Sequence, residues 1–122
     1  MQDYAIESPA TAPEIVDGFF PTEVDYWGGG EVEGWILFRD PDGDIELVCL
    51  TLVGPSGWQG ESCEDVSFEV RHKTEARRSF SFPAPYLCWE GAGEYRIELQ
   101  VIDFEGLRSN VWVFEYSLSG GS

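Results

Sequence analysis

Five acids fall in two short segments of this 122-residue chain. Asp40, Asp42 and Asp44 alternate through Asp40-Pro41-Asp42-Gly43-Asp44, and Asp103 and Glu105 lie in Asp103-Phe104-Glu105-Gly106. Carboxylate oxygens are hard donors and suit Ca²⁺, which takes about six to eight of them. The Asp-x-Asp-x-Asp spacing is that of calcium loops. However, Gly43 falls two positions early for an EF-hand, and Ile45 occupies the turn position. A solvated turn whose Asp side chains cap backbone amides meets the same pattern. A rival to any metal comes from Arg71, His72, Lys73, Arg77 and Arg78, which hold four of the seven Lys and Arg. If that segment shares an end of the fold with the acids, it can neutralise them. The expectation is therefore ion pairing, with Ca²⁺ held by Asp40, Asp42, Asp44 and Asp103 as the alternative.

A second group is aromatic. Tyr26, Trp27, Trp58, Tyr86 and Trp89 stand in loop-like surroundings rich in Gly, Pro and acids. Flat rings on loops can form a stacking platform for sugars or a docking site for protein, because they give contact area at low entropy cost. They can equally fold over and plug the end of a core, and that is the expected role. Catalysis finds little to work with. The one histidine, His72, lies in the basic segment, and Ser56 and Ser62 have no evident His/Asp partners. Glu31 with Glu33, and Glu61 with Glu64, read as solvated acids, since a glycosidase needs two carboxyls facing each other across a cleft. The chain is expected not to be an enzyme.

Of the three cysteines, Cys49 lies in the apolar run Leu47–Val53, where a thiol behaves as a small hydrophobe. Cys63 and Cys88 lie in polar stretches. A Cys63–Cys88 disulfide is the expectation, and with it an oxidising compartment, secreted or at the cell surface. The length is that of one domain. Hydrophobic content of 43% with five Trp argues against disorder despite a formal charge of -16. That charge disfavours nucleic acid and anionic membrane as partners. No apolar run approaches the roughly 20 residues of a membrane helix. Residues 1–12 read as an arm or linker and 13–118 as the domain. Residues 119–122, with Gly120-Gly121-Ser122, read as a tail left from a tag.

The elements that must position these groups are strands. In Gly93–Asp103, Tyr95, Ile97, Leu99 and Val101 alternate with Arg96, Glu98 and Gln100, the period of a strand with one buried face. A turn follows, then the return strand Val111–Tyr116, giving a hairpin. Glu31–Arg39 directs Val32, Gly34, Ile36 and Phe38 to one face. Ile45–Val53 is apolar on both faces and predicts a central strand. Glu14–Pro21, Val66–Val70 and Phe80–Phe82 predict three more, with Gly54–Glu61 a long loop. The predicted core is Val32, Ile36, Phe38, Leu50, Leu52, Phe68, Tyr95, Ile97, Leu99 and Val101, with Tyr95 making a tyrosine-corner bond. Trp112, Phe114, Tyr116 and Leu118 share one face of the last strand and Val111 and Val113 the other. So apolar a strand predicts cover by residues 1–12 or by a second chain.

Seven short strands at turn-punctuated spacing predict an all-β, immunoglobulin-like antiparallel β-sandwich. The segments Gly34–Ile45 and Gly93–Asn110 resemble strand endings of bacterial immunoglobulin-like surface domains of the polycystic-kidney-disease and cadherin-like type. That resemblance implies a non-catalytic extracellular domain with a structural or adhesive role, binding protein or glycan at a cell surface. A carbohydrate-binding module using the loop tryptophans is the alternative.

Overall fold

The computed structural model describes residues 11–25, 31–57, 59–83, 87, 91 and 93–119. Among these, eight strands form two sheets. The first sheet is ordered β1 (Glu14–Phe19), β3 (Glu31–Arg39), β6 (Glu75–Pro83). The second is ordered β2 (Glu23–Asp25), β8 (Trp112–Ser119), β7 (Gly93–Asp103), β4 (Ile45–Val53), β5 (Gln59–Asp65). A three-strand sheet facing one built on the chain's last hairpin and β4 is the immunoglobulin-type sandwich. All pairings are antiparallel except β2 with β8, which is parallel.

The alternation along β7 does what its period dictates. Tyr95, Ile97, Leu99 and Val101 are buried against Ile36 and Phe38 of the opposite sheet's inner face, while Arg96, Glu98 and Gln100 are only half-buried. Tyr95 donates its hydroxyl hydrogen bond to the Gly91 carbonyl, the predicted tyrosine corner. Its ring stacks on Tyr116, centroids 5.2 Å apart. On β8 the inward face is Trp112, Phe114 and Tyr116, and Val113 faces out. Phe20, in the bend between β1 and β2, fills the space between Phe80, Phe114 and Tyr116. A Cβ at Gly18 would lie 2.8 Å from Trp112 Nε1 and 2.9 Å from Phe114 Cζ, so β1 can cross these rings only without a side chain there.

Four expectations are corrected. Val66–Val70 does not continue as a strand: Ser67–Val70 is one helical turn, α1. The spacing of Val66, Phe68 and Val70 fits a period of two, but Val66 and Val70 are also four apart, one helical turn. Those two are buried, and Phe68 is 88% exposed rather than in the core. Asp65 starts the turn by accepting from both the Ser67 amide and the Ser67 hydroxyl.

Second, much of the expected loop Gly54–Glu61 and the residues after it form β5, a charged edge strand with no apolar alternation to announce it. Third, Cys63 pairs with Cys49, not with Cys88. β4 and β5 place Cys49 and Cys63 directly opposite each other, Cα atoms 4.0 Å apart. Cys88 itself lies outside the described residues. Fourth, β8 is flanked by β2, a strand too short for the sequence to reveal. Residues 1–10 lie outside the described residues, so their predicted cover of β8 does too.

At the open edge between β5 and β6, Arg78 spans the two sheets. It reaches Glu64 of β5 at 2.7 Å and Glu69 of α1 more closely still. Beneath it a cavity of about 210 Å³ is lined by Ile36, Val48, Leu50, Phe80, Phe82 and Leu99 among others.

Candidate metal centre

Three connections meet at one end of the sandwich, as the topology requires. The Asp40 amide donates to the Thr74 carbonyl at 2.9 Å, the His72 amide to Gly43 at 3.1 Å, and the Phe104 amide to Asp44 at 3.0 Å. These bonds knit the β3–β4 turn to the segment before β6 and to the turn after β7. Gly43 stands at φ +65°, where a side chain is strained, and a Cβ there would lie 3.2 Å from the His72 backbone.

Two of the acids arrive at this end by strand register. On β3 the inward positions run Gly34, Ile36, Phe38 and then Asp40; on β7 they run Tyr95, Ile97, Leu99, Val101 and then Asp103. The parity that buries the core therefore carries two aspartates inward, leaving Asp40 1% and Asp103 0% exposed. This was legible in the sequence, where the apolar face ends in Asp on both strands.

Each buried carboxylate uses one oxygen on its own turn. Asp40 Oδ2 accepts from the Asp44 amide at 2.9 Å. Asp103 Oδ1 accepts from the amides of Glu105 and Leu107, both at 2.9 Å. The other oxygens, Asp40 Oδ1 and Asp103 Oδ2, are buried with no hydrogen-bond partner among the described residues, and so is Asp44 Oδ1. Asp42, exposed at the turn's tip, accepts from the Thr11 amide through Oδ2. Asp40, Asp42, Asp44 and Asp103 each offer an oxygen, all within 4.8 Å of one another. The Asp44 carboxyl is pushed up to about 7, first by its hydrogen bond with the Asp40 carboxyl, then by burial and by the charges of Asp40, Asp103 and Asp42.

The expected neutralisation by the basic segment does not occur. Arg77 and Arg78 belong to β6, whose alternation sends them to opposite faces, away from the turn. Arg78 pairs with Glu64 and Glu69, and the Arg77 guanidinium lies 4.0 Å over the Trp35 ring. Arg71 and His72 border a cleft with Phe68, Phe104 and Asp44, and neither they nor Lys73 forms an ion pair with the four aspartates. Glu105 stays exposed, outside the cluster.

The other candidates scatter. Glu31 and Glu33 are exposed on the outer face of β3. Glu61 and Glu64, three apart on β5, point to opposite faces. His72 is exposed in a left-handed turn. Tyr26, Trp27, Trp58, Tyr86 and Trp89 lie outside the described residues.

No family model matches the sequence, and no curated protein matches it significantly. Solved structures are similar in fold. A mutant β-glucosidase from Listeria innocua in complex with laminaribiose superposes with TM-score 0.59 at 12% identity, over 88% of this chain and 16% of that one. OgpA from Akkermansia muciniphila gives 0.59 at 14% identity, over 89% and 29%. A Niemann-Pick type C2 protein from Japanese carpenter ant gives 0.59 at 8% identity, over 91% and 96%. The chain thus spans under a third of the first two, and nearly all of the third. At these identities the likeness is one of fold, an all-β sandwich.

Proposed function

We propose that the chain is a non-catalytic immunoglobulin-like module with a structural or adhesive role outside the cell, of the bacterial surface-domain kind its strand endings resemble. The observation that carries this reading is how the acidic end spends its carboxylates. Asp40 and Asp103 each give an oxygen to their own turn's amides, which is the work of fastening loops rather than presenting a group to a substrate. The Cys49–Cys63 bond supports an oxidising compartment.

The test is twofold. Turnover of any member of a panel of chromogenic glycosides and esters would remove the non-catalytic reading. For adhesion, the purified protein is passed over arrays of surface-protein ectodomains and of glycans, with saturable binding to a protein expected.

One observation favours carbohydrate as a second reading. The outer face of the three-strand sheet presents Phe19, 52% exposed, opposite Trp35, beside a groove edged by Glu33, Arg77, Ser79 and Ser81. Quenching of tryptophan fluorescence by a polysaccharide, lost in Trp35→Ala, would select it.

A further inference from the structure

We infer that the acidic end is a calcium site, with Asp40, Asp44, Asp103 and Asp42 as its protein ligands. Acids clustered on a surface need no metal; this cluster differs because its oxygens are buried and unanswered. Asp40 and Asp103 are 1% and 0% exposed, and Asp40 Oδ1 and Asp103 Oδ2 meet no donor among the described residues. The third unanswered oxygen is Asp44 Oδ1. These residues belong to the same group of converging carboxylates. A buried carboxylate oxygen without a partner is costly, and several together repel one another besides. Among the described residues the cations have other partners or stay clear: Arg78 is engaged by Glu64 and Glu69, and Arg77 by Trp35. A bound cation answers all the oxygens at once.

The donor set names the cation. It is all carboxylate, with no imidazole or thiolate, which selects a hard ion over zinc or copper. Oxygens in one Ca²⁺ shell lie about 2.3–2.6 Å from the ion and so up to about 5 Å from each other, whereas Mg²⁺ at about 2.1 Å holds them within roughly 4.2 Å. The four oxygens here lie within 4.8 Å of one another, which a Ca²⁺ shell accommodates, whereas Mg²⁺ keeps most of its waters and is bound by one or two carboxylates rather than four. The remaining positions are open to water on the Asp42 side, where the cluster reaches solvent. Because the ligands come from the β3–β4 turn and the end of β7, the ion ties together two connections that the Phe104–Asp44 bond already joins. The inference does not depend on what the module adheres to.

The experiment uses the full chain, stripped with chelator and then titrated with CaCl₂ and, separately, MgCl₂, by calorimetry and thermal melting. Expected is one Ca²⁺ per chain, weaker Mg²⁺ binding, and a melting rise on the order of 10 °C once calcium exceeds its Kd about a hundredfold. Asp44→Asn should melt higher than wild type in chelator, because repulsion is relieved, yet lose most of the calcium-induced rise. Glu105→Gln, an acid of the same turn outside the cluster, should respond to calcium as wild type does. Melting curves in calcium and chelator that coincide would overturn the site. So would an Asp44→Asn protein that responds like wild type, or a Glu105→Gln protein as impaired as Asp44→Asn, since either would mean diffuse counterion binding. If Asp44→Asn does not fold, native mass spectrometry of the wild type decides by stoichiometry: one retained calcium supports the site, none refutes it.

Discussion

The proton on Asp44 is held well above the ordinary carboxylate range because Asp40 shares a hydrogen bond with it and the surrounding acids make its charge costly. The consequence for stability has a definite sign. With a folded pKa near 7 and an ordinary unfolded value of 3.8, the folded chain binds this proton more tightly than the unfolded chain. Its contribution is full below the unfolded pKa and is lost as pH rises through the folded one. In chelator, the melting temperature should therefore fall between pH 5 and pH 8, and Asp44→Asn should flatten that slope. A chelated wild-type protein that melts higher at pH 8 than at pH 5 would contradict the assignment. Much of this was written in the sequence, since the inward parity of two strands ends in Asp40 and Asp103. What the sequence could not show is which oxygen each turn consumes. That depends on turn geometry, and with it goes the choice between ion pair and metal. The arginines mislead for a related reason: a strand connection at the acids' end would hold Arg77 and Arg78 there, but β6 begins at Glu75 and its alternation sends them elsewhere.

Elements joined by few bonds are where single changes will be felt. Asn110, in the segment before β8, clasps β1 by accepting from the Ile15 amide at 2.8 Å and donating to the Ile15 carbonyl at 3.1 Å. It takes the place of a strand partner beside the register shift between Ile15 and Asp17. Asn110→Ala would strand both groups of a residue that is 1% exposed, and should cost about 1–3 kcal/mol in urea unfolding. Replacing Cys49 and Cys63 by Ala should cost about 3 kcal/mol in the same assay, the value for a closed loop of this size. Peptide mapping without reduction should find the two joined. The edge strand held by that bond was hidden, because β5 pairs through its backbone and carries mostly charged or small side chains. By contrast β3, β4 and β7 were legible, since burial on one or both faces leaves a periodic trace. The helical turn α1 was not, because two valines four residues apart satisfy both periods.

At the scale of the molecule, a net charge of -16 works against compactness, and the acidic end concentrates part of it. Sodium chloride raised from about 0.02 to 0.5 M shortens the screening length several-fold, so the chelated protein should melt higher in salt. A flat response would mean that the charge is already spread too thinly to matter. The order of strands carries a mechanical meaning as well. The chain lays β1 on one sheet, bends at Phe20-Pro21-Thr22, and lays β2 on the other, parallel to β8. Of the described strands, tension drawn from the amino-terminal side meets β1 first, and from the other side β8. Once β1 yields, β2 is dragged toward its start while β8 is dragged toward its end, which for parallel neighbours means opposite directions along one axis. The bonds along Glu23–Asp25 are then loaded side by side and must fail together rather than unzip one at a time. A strand of three residues, the shortest among the described residues, would thus be the latch that sets the force at which the fold gives way.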